Sequence, residues 1–195
     1  MDVIESNRSA QRHRLHGRLS YARGKQRLLA YYEWIHSRDN NDGPFGFPEQ
    51  QDNLGAEWDR SAGVAPHNAT LAGYFQLPAA VSLTVTETWH GSAPFNITIA
   101  TDIARNGLYN DRGGRPRNSG NGPRYNSLSL YVSRRVPVPN AFGRTRRYAS
   151  VGVNADNLLG NRNYLSLGSV VGSATFGQPL AVMPGRSVRI WLNLN

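Results

Sequence analysis

The sequence predicts an all-β chain of antiparallel up-and-down strands of the transmembrane β-barrel kind, about seven of them and so only a partial barrel. Three observations carry this. Seven segments alternate apolar and polar side chains with period two, as a strand with two different faces requires. Their connections run short, long, short, long, short, long, which puts every long loop on one side. Up-and-down barrels look like this, with short periplasmic turns and long extracellular loops. Finally, the alternation continues through Arg186–Asn195 to the C-terminus. Termini of soluble domains usually fray, whereas a strand in lipid must be paired because a free edge there is costly.

Residues 1–13 form an unpatterned N-terminal segment, and residues 14–195 form the barrel region. From Arg14 to Ala22, Leu15, Gly17, Leu19 and Tyr21 alternate with Arg14, His16, Arg18 and Ser20. Arg23-Gly24-Lys25 is a tight turn. Residues 26–38 place Leu28, Ala30, Tyr32 and Trp34 on one face, but Leu29, Tyr31 and Ile35 spoil the other. A short helix also fits these residues, and the preceding turn favours a hairpin. Residues 39–65 are a long loop stiffened by Pro44 and Pro48.

Residues 67–78 resume the alternation, Pro78-Ala79-Ala80 turns the chain, and Val81 to Trp89 form the next strand with Glu87 as its one discord. A Gly-, Asn- and Arg-rich loop spans 96–123. Strands follow at Tyr125–Val136 and Arg147–Asp156, joined by the short connection Pro137–Thr145. Loop 158–185 precedes the last strand, whose Val188, Ile190, Leu192 and Leu194 share one side, opposite Arg189, Trp191 and Asn193.

Composition narrows the function. The 195 residues contain no Cys, which removes disulfides and thiolate chemistry. The 22 Lys+Arg against 13 Asp+Glu give a net charge of +9, which raises nucleic acid or an anionic surface as a partner. The excess is mostly Arg and is scattered, so no nucleic acid is expected. No secretory signal stands at the N-terminus. A barrel must cross the inner membrane, so the barrel reading makes the chain part of a longer one. No apolar run reaches the length of a transmembrane helix, which leaves strands untouched, since each needs only about 9–11 residues.

From Ala93-Pro-Phe-Asn-Ile97 onward the chain resembles the C-terminal barrel portion of TonB-dependent outer-membrane receptors. The likeness is to the Oar-like group, which carries an N-terminal carboxypeptidase-regulatory-like domain. The residues that carry it are His67-Asn68, Leu71-Ala-Gly-Tyr74, Leu77-Pro78, Gly91-Ser-Ala-Pro-Phe-Asn-Ile97, Asn110-Asp-Arg112 and Asn118-Ser-Gly-Asn-Gly-Pro-Arg-Tyr125. Asp156-Asn-Leu-Leu-Gly-Asn161, Thr175-Phe-Gly-Gln-Pro179 and Pro184 to Leu194 continue it, and Ala56-Glu-Trp58 fits more loosely.

The resemblance implies a barrel of about 22 strands with a plugged lumen, of which this chain supplies roughly the last seven. It implies uptake of an unknown substrate across the outer membrane, with no enzyme activity. The implied partners are outer-membrane lipid and lipopolysaccharide, the barrel-assembly machinery, and the TonB complex through an N-terminal part this chain lacks. Val188, Ile190, Leu192 and Leu194 would form the C-terminal strand read at assembly. The family usually ends that strand on an aromatic residue, whereas this chain stops at Asn195 after Leu194.

Within the loops, Trp58, Tyr109, Arg112, Arg115 and Arg117 are the candidate extracellular contacts. Asp102 to Gly107, with Asn110 and Asp111, lie where relatives carry an acidic Ca²⁺-like run, but Ala104 and Arg105 break the alternate-oxygen spacing that Ca²⁺ needs. Asp39 and Asp42 lack it as well, so no metal is expected. No P-loop, G-x-S-x-G, H-E-x-x-H or G-x-G-x-x-G motif occurs, and no catalytic residue or cofactor is expected. The reading from another class is a soluble basic all-β module that binds nucleic acid or polysaccharide.

Overall fold

The computed structural model describes residues 8–41, 46–138 and 147–194, without the side chain of Arg147. Asp42, Pro44, Asn195 and residues 139–145 of the connection Pro137–Thr145, which enter the sequence reading, lie outside the described residues. Among the described residues there is no helix. Twelve strands form: β1 (Ala10–Arg23), β2 (Gln26–Asp39), β3 (Asp59–Arg60), β4 (His67–Leu77), β5 (Val81–His90), β6 (Pro94–Phe95), β7 (Gly120–Asn121), β8 (Tyr125–Val138), β9 (Arg147–Asp156), β10 (Tyr164–Leu167), β11 (Pro179–Val182) and β12 (Ser187–Leu194).

Seven of them form one antiparallel meander in the order β1-β2-β4-β5-β8-β9-β12, and β3 adds to β2. The sheet is open, because no pairing joins β1 to β12. The seven long strands coincide with the seven alternating segments, including residues 26–38, where the hairpin prevails over the helix. Its two-residue turn is Gly24-Lys25, between paired Arg23 and Gln26. Gly24 supplies φ +59°, a conformation glycine adopts at little cost.

The boundaries differ in two informative places. β1 begins at Ala10, inside the segment expected to be unpatterned, because Ala10 to His13 pair with His36 to Asp39. Backbone pairing extends a strand regardless of side-chain pattern. β8 likewise runs through Pro137 to Val138. The β5–β8 ladder ends at Val81↔Arg134, and beyond it β8 pairs only with β9. Pro137 therefore sits where no second neighbour needs its missing N–H.

Register sorts the side chains into two faces. One face carries Leu15 and Leu19 of β1, Leu28 and Tyr32 of β2, Leu71 and Leu77 of β4, and Val81, Leu83 and Val85 of β5. It continues through Leu130 and Val132 of β8 and Val151 and Val153 of β9 to Val188, Ile190, Leu192 and Leu194. The opposite face is rich in hydroxyls and amides, such as Thr70, Thr84, Thr86, Ser129, Ser133 and Asn154.

The apolar face is not covered: Leu71 is 58% exposed, Leu15 66% and Ile190 77%. Ala72 and Ala155 are the buried hydrophobic residues among those described. This sheet therefore packs no hydrophobic core of its own.

Candidate ligand-binding surface at the loop end

The three long connections leave the same end of the sheet and pack on one another. The sequence reads them as long loops, and with their flanks they contain β3 and two small ribbons, β6–β7 and β10–β11. What ties them together is charge. Glu57 is fully buried, and its carboxylate accepts a two-pronged contact from Arg112, with Nη1–Oε2 at 2.7 Å and Nη2–Oε1 at 2.8 Å. Arg112 Nε lies 2.9 Å from Glu49 Oε2, and Gln50 N donates to Glu57 Oε1 at 3.0 Å. Flat fork-to-fork geometry of this kind makes Arg the residue suited to a covered carboxylate.

Next to it, Arg117 Nη2 meets Asp39 Oδ1 at 2.6 Å, and its Nη1 donates to the Asp39 carbonyl at 2.6 Å. These contacts pin loop 96–123 to the end of β2. Arg60 donates to the Asn118 carbonyl at 2.7 Å, while Asn118 Nδ2 donates back to the Arg60 carbonyl at 2.6 Å. The third loop joins through Thr98 N to Ser169 O (3.0 Å) and through Asn163, whose amide brackets the backbone of Asn126.

The five candidate contacts consequently separate. Tyr109 is 72% exposed and Arg115 is also exposed, with its Nη1 donating to the Arg112 carbonyl at 3.1 Å, so both side chains lie at the surface. Trp58 is half-buried. Arg112 and Arg117 do not present theirs: both are buried against carboxylates, and their role is to hold the loops. Sequence reasoning missed their partners Glu57, Glu49 and Asp39, which are far away along the chain. The local signal that existed was Ala56-Glu-Trp58, an acidic residue set among apolar ones.

The carboxylates of the 102–111 run are aimed at backbone. Asp102 accepts from Asn106 N and Gly107 N (3.0 and 2.8 Å), and Asp111 Oδ2 accepts from Ile103 N and Ala104 N. These bonds shape the loop tip and occupy the carboxylate oxygens with backbone N–H groups. No group of three or more potential metal ligands occurs among the described residues.

The loops and the end of the sheet enclose a cleft of about 800 Å³. Its walls come from all three loops, with Phe95, Asn96 and Tyr164 among them, and its floor includes Ile35, Asn68 and His90 of the polar face. The volume lies in the range of small-molecule sites. Val188, Ile190, Leu192 and Leu194 of the last strand lie away from it, all more than half exposed on the apolar face.

No family model matches this chain, and neither the curated proteins nor the solved structures yielded a similar protein.

Proposed function

We propose that this chain is a stretch of a β-barrel in the outer membrane, the C-terminal part of a TonB-dependent, Oar-like receptor. It contributes seven barrel strands and three extracellular loops to substrate uptake. The observation that carries the reading is the apolar face running from Leu15 to Leu194 across seven paired strands, with leucines and valines exposed and only Glu87 and, near the turn end, Arg134 as charges among the strands between β4 and β9. In water an uncovered apolar surface of this extent marks a missing partner. In a bilayer, lipid is that partner.

The dimensions agree. Ala69 to Leu77 of β4 is nine residues, which at ~3.3 Å per residue spans ~27 Å along the strand. Tilt brings that close to the ~25 Å apolar band of outer-membrane barrels. The unpaired outer edges of β1 and β12 are closed by further strands of the same barrel. Lipid and lipopolysaccharide then surround the apolar face, the barrel-assembly machinery inserts the strands, and TonB couples through a plug outside this chain. The exposed Tyr109 and Arg115, and the cleft among the three loops, are where the ligand meets this part of the receptor.

The test is to express residues 1–195, fractionate, and record circular dichroism with and without detergent micelles. The expected chain sediments in water and shows β-structure only with detergent. A soluble monomer that melts cooperatively without detergent overturns the reading. The basic all-β binding module then takes its place, and nucleic acid and glycans become the ligands to titrate against Arg115 and Tyr109.

A further inference from the structure

At the loop end of the apolar face, the side chains change in a fixed order. Leu71 and Ala30 are paired, and next toward the loops come Tyr32 and Trp89, which flank Ala69. Trp34 follows, paired with Leu15 and His67. Beyond it His13 stands opposite His36, and then Gln11 opposite Arg38. His13, His36, Arg38 and His67 are all exposed. Along this row His13 and His36 stack at 6.4 Å and Trp34 and His36 at 6.0 Å, and one strand over Tyr32 Oη lies 2.7 Å from His67 Nδ1.

No carboxylate interrupts this row. β1 and β4 contain none, and Glu33 and Asp39 of β2 alternate onto the opposite face, where Glu33 pairs with Arg14 at 3.1 Å. Glu87 of β5 shares the apolar face but is opposite Leu71, four residues down β4 from His67 or ~13 Å. Arg60, the strand partner of Arg38, directs its guanidinium to Asn118 and Asn121.

We propose that His13, His36 and Arg38 form a binding site for the phosphate of a lipid headgroup, seated where the apolar face meets the membrane surface. The proposal rests on the reading of that face as lipid-facing and names the lipid chemistry that its rim selects. Charge complementarity and position together argue for it. An aromatic row above an apolar band is where a bilayer's polar interface begins. The next groups outward sit at the depth of the phosphates, and here they are N–H donors. A guanidinium gives two parallel bonds to a phosphate. An imidazole offers at least one N–H whatever its protonation state, so the histidines contribute without carrying a fixed charge. The position separates a lipid-borne phosphate from a free one, because only the former arrives with acyl chains that cover Leu15, Leu19 and Leu71.

The test uses the full chain in phosphatidylcholine vesicles, with and without added phosphatidic acid, counting retained lipid by native mass spectrometry after detergent extraction. Phosphatidic acid is expected to be retained in preference to phosphatidylcholine. The R38Q variant should lower that preference about fivefold, and H13Q/H36Q/R38Q should abolish it. R18Q/R27Q, which removes two cations from the opposite face, should leave it intact. Equal retention by wild type and triple variant overturns the site, as does equal loss in the opposite-face control. Displacement by inorganic phosphate alone overturns the lipid source. A chain that never enters the vesicles defeats the membrane reading and this site together, while one that enters without a headgroup preference defeats only the site.

Discussion

The strands and the loop end of this molecule place their side chains in opposite ways. On the sheet, leucine, valine and isoleucine point outward, with Ile190 77% exposed, and little but Ala72 and Ala155 is covered. At the loop end the covered groups are Glu57, Arg112, Arg117 and Asn118. A water-soluble domain does the reverse, since lysine, glutamate, arginine and aspartate are almost never fully buried unless paired. The comparison teaches that the two regions are held by different forces. Backbone ladders hold the sheet, whose apolar side chains take their stabilisation from whatever surrounds them. The loops hold themselves through paired charges and amides that satisfy one another.

The largest effect should come from breaking the loop side of this contrast. E57A leaves Arg112 covered and without its two-pronged partner, a change that typically costs about 3–5 kcal/mol. Hydrogen exchange is expected to rise across residues 46–66 and 108–118 while the seven-strand β signal persists. The double variant E57L/R112M should recover much of the loss, because apolar residues of similar size often replace a buried ion pair without penalty. If the sheet melts together with the loops, the two regions are not independent.

A slightly smaller effect sharpens the sheet side. I190R puts a charge midway along β12 on the exposed apolar face, at a cost of about 2–4 kcal/mol if that face lies in a bilayer. Denaturant titration in micelles should show it. In water the same exposed position would be neutral, so the variant reports directly on which solvent the face meets.

Below these comes G152V. A Cβ at Gly152 would lie 2.5 Å from the Trp191 ring, which packs over that glycine and stacks with Tyr131 at 6.0 Å. Displacing the ring is expected to cost about 1–3 kcal/mol and to shift tryptophan emission. The smallest effect belongs to R189A. Arg189 pairs with Asp156 at 2.7 Å but is 69% exposed, and exposed pairs contribute about 0–1 kcal/mol. Its melting curve should be nearly unchanged. That near-silence set against E57A measures how much burial, rather than charge pairing as such, ties the loops together.

Period-two alternation was enough to mark the seven long strands and the side on which each long loop falls. That pattern is local: each residue's face follows from its neighbours two positions away, so it is written along the chain. It also placed Val188, Ile190, Leu192 and Leu194 on one side, where register confirms them. The alternation misjudged β1 and β8 only at the ends, where a neighbouring backbone extended the pairing through residues of no particular pattern.

The loops were a different problem. Arg112, Arg115 and Arg117 look alike in sequence, three arginines among glycines, yet one faces solvent and two are covered. What separates them is a set of contacts at long range, 55 residues from Arg112 to Glu57 and 78 from Arg117 to Asp39. No local rule connects residues that far apart. An arginine is free or buried according to whether a carboxylate arrives beside it, and only the folded arrangement of the three loops brings one there.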